Sequence, residues 1–234
     1  MIGFGEFEVK RNLEIESLSD ERLVMVDPTK AGFYDNVLNY ISENDDIQAF
    51  VKAVREVQKA GVEAFYRPVM DSSLEDDKVM YEKGKKPAVG HSYNWWVKAT
   101  KVMPAVEGRN WTMGTEYQYY AFLVQLINSL VEDGWSMDKA VNSVVLDSKE
   151  LGHYRNSLNA LNDFETTGSR EVCGFFDLAN TCKLLSCTNE EVGGFWVAGG
   201  GYHGGSDFCP LADLFHDFNV TIDYFDSVAW LVLK

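Results

Sequence analysis

Positive charge is scarce in this chain: 21 Lys and Arg stand against 36 Asp and Glu, a formal net charge of −15. That balance argues against nucleic acid and anionic membrane surfaces as partners, because both repel a strongly acidic protein. It also suits a protein kept soluble at high local density. Long apolar runs are missing as well. None approaches the roughly 20 residues that cross a bilayer, so membrane insertion is not expected. The opening stretch, MIGFGEFEVKRN, has no basic region followed by an apolar core. No secretory signal is therefore expected, and synthesis in a cytoplasm is expected, with a place on a virion surface compatible with the same features. Cysteine is sparse too. Cys173, Cys182, Cys187 and Cys209 all fall in the last third and form no CxxC pair. Free thiols are expected over two bridges, zinc has no spacing support, and no cofactor is predicted.

One absence is local. From Val197 to Ala229, a window of 33 residues, there is no Lys, Glu, Gln, Met or Trp. The whole chain holds 14 Lys, 18 Glu, 4 Gln, 7 Met and 6 Trp, so in proportion about seven would fall there. These five types share one property in the genetic code: none has a codon ending in a pyrimidine. Every type present in the window does. Codons scrambled at their first two positions, with a third-base C or T retained, leave this footprint. An ordinary acidic, aromatic surface loop satisfies the same count.

At 234 residues the chain can form one large domain or two small ones, and 46% hydrophobic with 24% charged content is ordinary for a globular protein. Residues 1–30 read as short strands, Phe4 to Val9, Leu13 to Ile15 and Leu23 to Val26, the last stopped by Asp27-Pro28. Phe33 to Lys59 reads as helical, with Val37, Leu38, Ile41, Ile47, Phe50, Val51, Val54 and Val57 at three- and four-residue steps. Residues 42–46 break it into two helices, and Gly61 closes the second. The charged stretch from Met70 to Gly90, with Gly84 and Pro87, is the linker candidate. This gives an N-terminal structural or assembly region, 1–70, of small mixed α/β character, a linker at 71–90, and a domain at 91–234.

In that domain Tyr93 to Met103 is predicted as a long strand, from its aromatic and β-branched content. Thr112 or Thr115 is the expected cap of the next helix, although Thr115-Glu116-Tyr117-Gln118 lacks an acid at the offset of a full capping box. The helix carries Tyr119, Phe122, Leu123, Leu126, Ile127 and Leu130 on one face and stops at Gly134. Ser136 caps a second helix through Ala140, Val141, Val144 and Val145. A polar, loop-rich stretch follows from Asp147 to Ser169. Near the end come the strand-like run Phe195 to Ala198, about thirty residues without a period of 2 or 3.6, and a terminal apolar run, Val228 to Leu233. So long a loop in a compact domain is uncommon, and its Tyr and Phe content argues against disorder. The fold class is α+β.

The segment Gly174-Phe175-Phe176-Asp177-Leu178-Ala179-Asn180-Thr181 resembles a G-(L/F)-(Y/F)-D-(M/L)-x-G-N-V segment of the formylglycine-generating branch of the C-type-lectin fold. Trp196-Val197-Ala198-Gly199-Gly200-Gly201-Tyr202 resembles its R-G-G-S-W strand and turn, and Ser227 to Leu233 stands where that branch ends in I-G-F-R-L-V. Variable proteins of diversity-generating retroelements, among them phage receptor-binding tropism determinants, use a similar frame. The likeness covers roughly the last 60 residues, and departs from the pattern at Ala229-Trp230-Leu231 and at the missing Gly after Ala179. It implies a C-type-lectin-like C-terminal domain with two helices and a long loop between terminal strands. It also implies adenine-directed mutagenesis, which leaves third-base pyrimidines, and a display protein without enzyme activity. Its partner would be a protein or carbohydrate on a target surface, and a homo-oligomer is compatible with it.

On that resemblance the varied ligand-binding positions within 201–227 are Tyr202, His203, Ser206, Asp207, Phe208, Phe215, His216, Asp217, Phe218, Asn219, Thr221, Asp223, Tyr224 and Asp226. Tyr gives contact area at low entropy cost, and small polar residues give adaptable hydrogen bonds. Two alternatives stand beside it: a plain structural virion protein, and a formylglycine-generating oxidoreductase. The latter implies two copper-binding cysteines near the C-terminus, whereas Cys209 has no second Cys after it. His203, Asp207, Cys209, Asp213, His216 and Asp217 are zinc ligand types, and the acids alone suit calcium. Their spacing matches no known set, so they read as surface side chains of a binding loop. His153, beside Glu150 and Tyr154, has no nucleophile motif with it and reads as structural. Gly199-Gly200-Gly201 precedes no helix and no Lys, so it is not a phosphate loop. Trp95, Trp96 and Trp111 read as core, and Trp230 as the anchor of the last strand.

Overall fold

The structure, a computed structural model, describes residues 28–61, 68–69, 92–101, 108, 110–147, 182–188, 193–199, 210–221 and 227–233. The strands expected before residue 28, the linker at 70–90, residues 148–181 with His153 and the Gly174 to Thr181 segment all lie outside the described residues.

A short helix α1 (Asp35–Leu38) precedes α2 (Asp45–Ala60). The side chain of Asn44 caps α2 by accepting from the amides of Asp46 and Ile47 at 2.9 and 3.2 Å, and Gly61 ends it at φ 58°. Ile47, Phe50, Val54 and Val57 are buried as their spacing predicts. Ile41, counted on the same apolar face, lies beyond the end of α1 and is 92% exposed.

After the two-residue strand β1 (Pro68–Val69) comes α3 (Tyr93–Thr100), where the sequence predicted a strand. Ser92 accepts from the amide of Trp95 at 3.3 Å and starts the helix, and Trp96 is buried while Asn94 and Lys98 are exposed. The helical period in burial outweighs the β propensity of Tyr and Trp, which reports fit to a sheet surface more than backbone preference. Strand β2 (Trp111–Met113) leads into α4 (Glu116–Glu132). Its capping box is complete: Thr115 Oγ1 accepts from the Gln118 amide at 3.3 Å, and Gln118 Oε1 accepts from the Thr115 amide at 2.8 Å. The box needed an acceptor at that offset, and a side-chain amide supplies one without an acid. Ser136 caps α5 (Met137–Val145) through the amide of Lys139.

The remaining strands are β3 (Cys182–Ser186), β4 (Phe195–Ala198), β5 (Leu214–Asp217), β6 (Ser227–Ala229) and β7 (Leu231–Leu233). They form two sheets, one of order β1-β7-β2 and one of order β5-β4-β3-β6. In the second sheet β3 is antiparallel to β4 and parallel to β6. The terminal apolar run, expected as one strand, is two, because the chain changes sheets at Trp230. Its amide donates to the Leu184 carbonyl at 3.0 Å in one sheet, and its carbonyl accepts from the Gly114 amide at 2.7 Å beside the other. The indole packs edge-on to Tyr119 at 5.3 Å and tilted against Phe122 at 4.6 Å, which pins the crossover to α4. A Cβ at residue 114 would lie 2.6 Å from Trp230 Cδ1, so only glycine fits there.

One buried cluster joins these elements. Phe33, Val37, Phe50 and Val54 share it with Phe122, Leu126, Ile127, Val141 and Val144 of α4 and α5, and with Leu185, Ala198, Leu211 and Trp230. Polar ties follow the same contacts: Tyr40 Oη donates to Asp138 at 2.9 Å, and Asn128 Nδ2 donates to the Phe33 carbonyl at 2.9 Å. The arrangement is mixed helix and sheet, an α+β fold.

Candidate ligand-binding face

The segment expected as a structureless loop contains a strand. Among the described strands β5 is at one edge of its sheet and pairs with β4 in the register Trp196↔His216 and Val197↔Phe215. Leu-Phe-His-Asp is too short to show a period of 2, so pairing with β4 selects this strand rather than any local pattern. Of the fourteen positions predicted to vary, the structure places six together. Phe215, His216 and Asp217 are half-buried on β5, and Phe218, Asn219 and Thr221 are exposed in the turn that follows, Phe218 to 68%. Tyr202, His203, Ser206, Asp207, Phe208, Asp223, Tyr224 and Asp226 lie outside the described residues.

An aromatic ladder runs along the face. The His216 ring sits between Trp196, 4.9 Å away, and Phe218, 4.5 Å away, edge-on to both. Trp196 Nε1 and His216 Nε2 are buried there without a hydrogen-bond partner. The turn is built by its own side chains, since Asp217 Oδ1 accepts from the Asn219 amide at 2.7 Å and Thr221 Oγ1 donates to Asn219 Oδ1 at 3.0 Å. Gly194, at φ 75°, passes under this strand, and a Cβ there would lie 2.4 Å from the Asp217 carbonyl oxygen. Helix α3 closes the other side. The Asn94 amide donates to the Val220 carbonyl at 3.0 Å, and Tyr93 stacks on Phe195 at 4.8 Å.

Two residues not picked from the sequence as site residues hold the backbone of the segment at Gly199 and Leu211. Lys183, 1% exposed, donates from Nζ to the Gly199 carbonyl at 3.0 Å. Tyr119 Oη, buried in α4, donates to the Leu211 carbonyl at 3.0 Å. The Gly199 amide then donates to the Asp213 carbonyl at 2.8 Å, which ties the end of β4 to the residue before β5. The sequence signal for Lys183 is a single cation inside the run Cys-Lys-Leu-Leu, where a buried ammonium requires specific acceptors. Tyr119 reads from sequence as one more apolar position.

The surroundings of the face are acidic. Asp213 is largely exposed, yet the partial burial of its carboxyl, and then the Asp46 carboxylate, raise its pKa. Burial, followed by Asp213 and Glu116, pushes Tyr120 up to about 12. Burial also raises Tyr119 well above its ordinary value and raises Tyr93, so these hydroxyls act as neutral donors or apolar surface. Glu116 faces inward, where its carboxylate accepts from the Thr188 amide at 2.9 Å and from the Thr188 hydroxyl, tying the end of β3 to α4.

Among the described residues, no group of three or more His, Cys, Asp or Glu could hold a metal ion, and no helix is long and apolar enough to cross a membrane. Cys182 is buried and Cys187 is half-buried, while Cys173 and Cys209 lie outside the described residues. Trp96 and Trp111 are buried and Trp95 is half-buried. Comparison of the chain with protein-family models, with curated proteins and with solved structures gave no match.

Proposed function

We propose that this is a binding rather than a catalytic protein, a C-type-lectin-like frame on which residues 201–227 form a face of varied sequence. The observation that carries the reading is a coincidence of boundaries. The window without Lys, Glu, Gln, Met or Trp opens at Val197 within β4 and ends at Ala229, the last residue of β6. The composition therefore changes where the chain leaves one pair of strands and returns to another. Trp196 and Trp230, the residues on either side of the window, pack on the core. Within it, aromatic and small polar side chains stand on the edge strand β5 and its turn, a composition that suits recognition of unlike partners.

The element order supports the same frame: strand β2, helices α4 and α5, a sheet, and a terminal strand that returns beside β2. On this reading the chain belongs with the variable proteins of diversity-generating retroelements. It is a receptor-binding or surface-display protein of a phage or prophage, made in the cytoplasm and directed to a protein or carbohydrate on a target surface. The test is the gene and its neighbouring DNA. Third bases across codons 201–227 are expected to be almost all C or T, with a near-identical adenine-rich repeat and a reverse transcriptase gene close by. Third bases distributed as in the rest of the gene, and no repeat, would overturn the proposal and leave a virion protein with a fixed loop.

A further inference from the structure

We propose that Lys183 and Tyr119 are positioning residues for the binding segment, holding its backbone at Gly199 and Leu211 through main-chain carbonyls so that neighbouring side chains can change without moving the chain at those two points. The inference deepens the display reading and takes its interest from it. The geometry is specific. Lys183 reaches from β3 to the Gly199 carbonyl, one residue past β4, and Tyr119 reaches from α4 to the Leu211 carbonyl, three residues before β5. Both donors are side chains outside the window of altered composition, and both acceptors are backbone atoms inside it. A carbonyl oxygen is present whatever residue stands at the position, so neither contact depends on the sequence of the segment.

Other ties among the described residues have the same character. Gly199 N–H to Asp213 O, Asn94 N–H to Val220 O and the β4–β5 ladder are all main-chain bonds. Among the described residues of the segment, Leu211 is fully buried in the shared core and Ala212 and Leu214 pack against that core, and none of the three is among the positions predicted to vary. The choice of Lys at 183 fits a positioning role better than a stabilising one. Burying an ammonium is unfavourable, and an apolar side chain of similar length often serves stability as well or better, whereas a charged donor fixes one carbonyl in place.

The experiment is hydrogen exchange with thermal unfolding on the full chain and its Lys183→Met and Tyr119→Phe variants, neither of which needs a ligand. In both, amide exchange within 199–213, with the Gly199 amide as reporter, is expected to quicken at least about tenfold, while α4 and α5 keep wild-type protection. Replacing residues 201–209 by unrelated sequences of the same codon class should leave the Gly199 amide protected in the wild-type frame and exposed in the variants. Uniform acceleration across α4 and α5 would reduce the two residues to general structural roles and overturn the proposal, as would unchanged exchange at Gly199. If Lys183→Met fails to fold, Tyr119→Phe, which retains the ring and its volume, decides by the same readout. These outcomes are independent of whether the gene shows third-base pyrimidines, so failure of the clamp and failure of the display reading are separable.

Discussion

In helix α2 the atoms that hold the element to the protein are side chains: Ile47, Phe50, Val54 and Val57 enter the common core, and Asn44 closes the first turn. In the segment from Val197 to Ala229 many of the ties are main-chain groups, paired in a sheet or gripped by side chains from elsewhere. The first kind of attachment constrains residue identity at every buried position, because packed interiors respond to the loss of single methylene groups. The second constrains the path of the chain and leaves identity open. Two regions of one molecule can thus share a core cluster yet differ in how much sequence change each tolerates.

The sharpest way to break this contrast is to truncate on both sides of it. Phe50→Ala should lose about 3–5 kcal/mol in urea unfolding, because a large buried ring leaves a cavity beneath α2. A loss below about 1 kcal/mol would mean that α2 is not fastened by its side chains. Leu211→Ala should lose about 2–5 kcal/mol, since this side chain is fully buried in the stretch between β4 and β5. Equality of Leu211→Ala and its exposed neighbours would remove the distinction between base and face. Phe218→Ala and Thr221→Ala should stay within about 0.5 kcal/mol of wild type in the same assay, both being exposed. A larger change at either would show that the turn contributes side-chain packing to the fold.

The smallest effect concerns charge. Asp213 has a raised pKa, so its charged form is disfavoured in the folded state. Its contribution to stability is complete below the ordinary value of 3.8 and is lost as pH rises through the folded pKa. Asp213→Asn should therefore raise the unfolding temperature slightly at neutral pH, and the difference should vanish at pH values below 3.8. A stabilisation that persists in acid would assign the effect to something other than repulsion and desolvation of this carboxylate.

The helices were legible in the sequence where burial follows a period of 3.6. Ile47 to Val57 and Tyr119 to Leu130 show it, and Asn44, Thr115, Ser136, Gly61 and Gly134 punctuate it. Legibility failed at Tyr93–Thr100, where two adjacent Trp and a Val suggested a strand while the burial of Trp96 between exposed Asn94 and Lys98 made a helix. It failed again at Leu214–Asp217, four residues with no pattern of their own, which are a strand because β4 offers them a ladder. The candidate face divides the same way. The unusual residues of the segment stood out by composition, whereas its clamps did not, because a carbonyl carries no signature in a sequence and Tyr119 looks like any apolar helix position.

Charge balance, the capped amphipathic helices and the compositional window are properties of the residues alone, and the sequence by itself determined them. The change of sheet at Trp230, the pairing of β5 and the grip of Lys183 and Tyr119 on two distant carbonyls were decided only by tertiary structure. They rest on backbone carbonyls and amides that carry no signature of the residue they belong to, and only the folded chain settles which of those groups meet which partner.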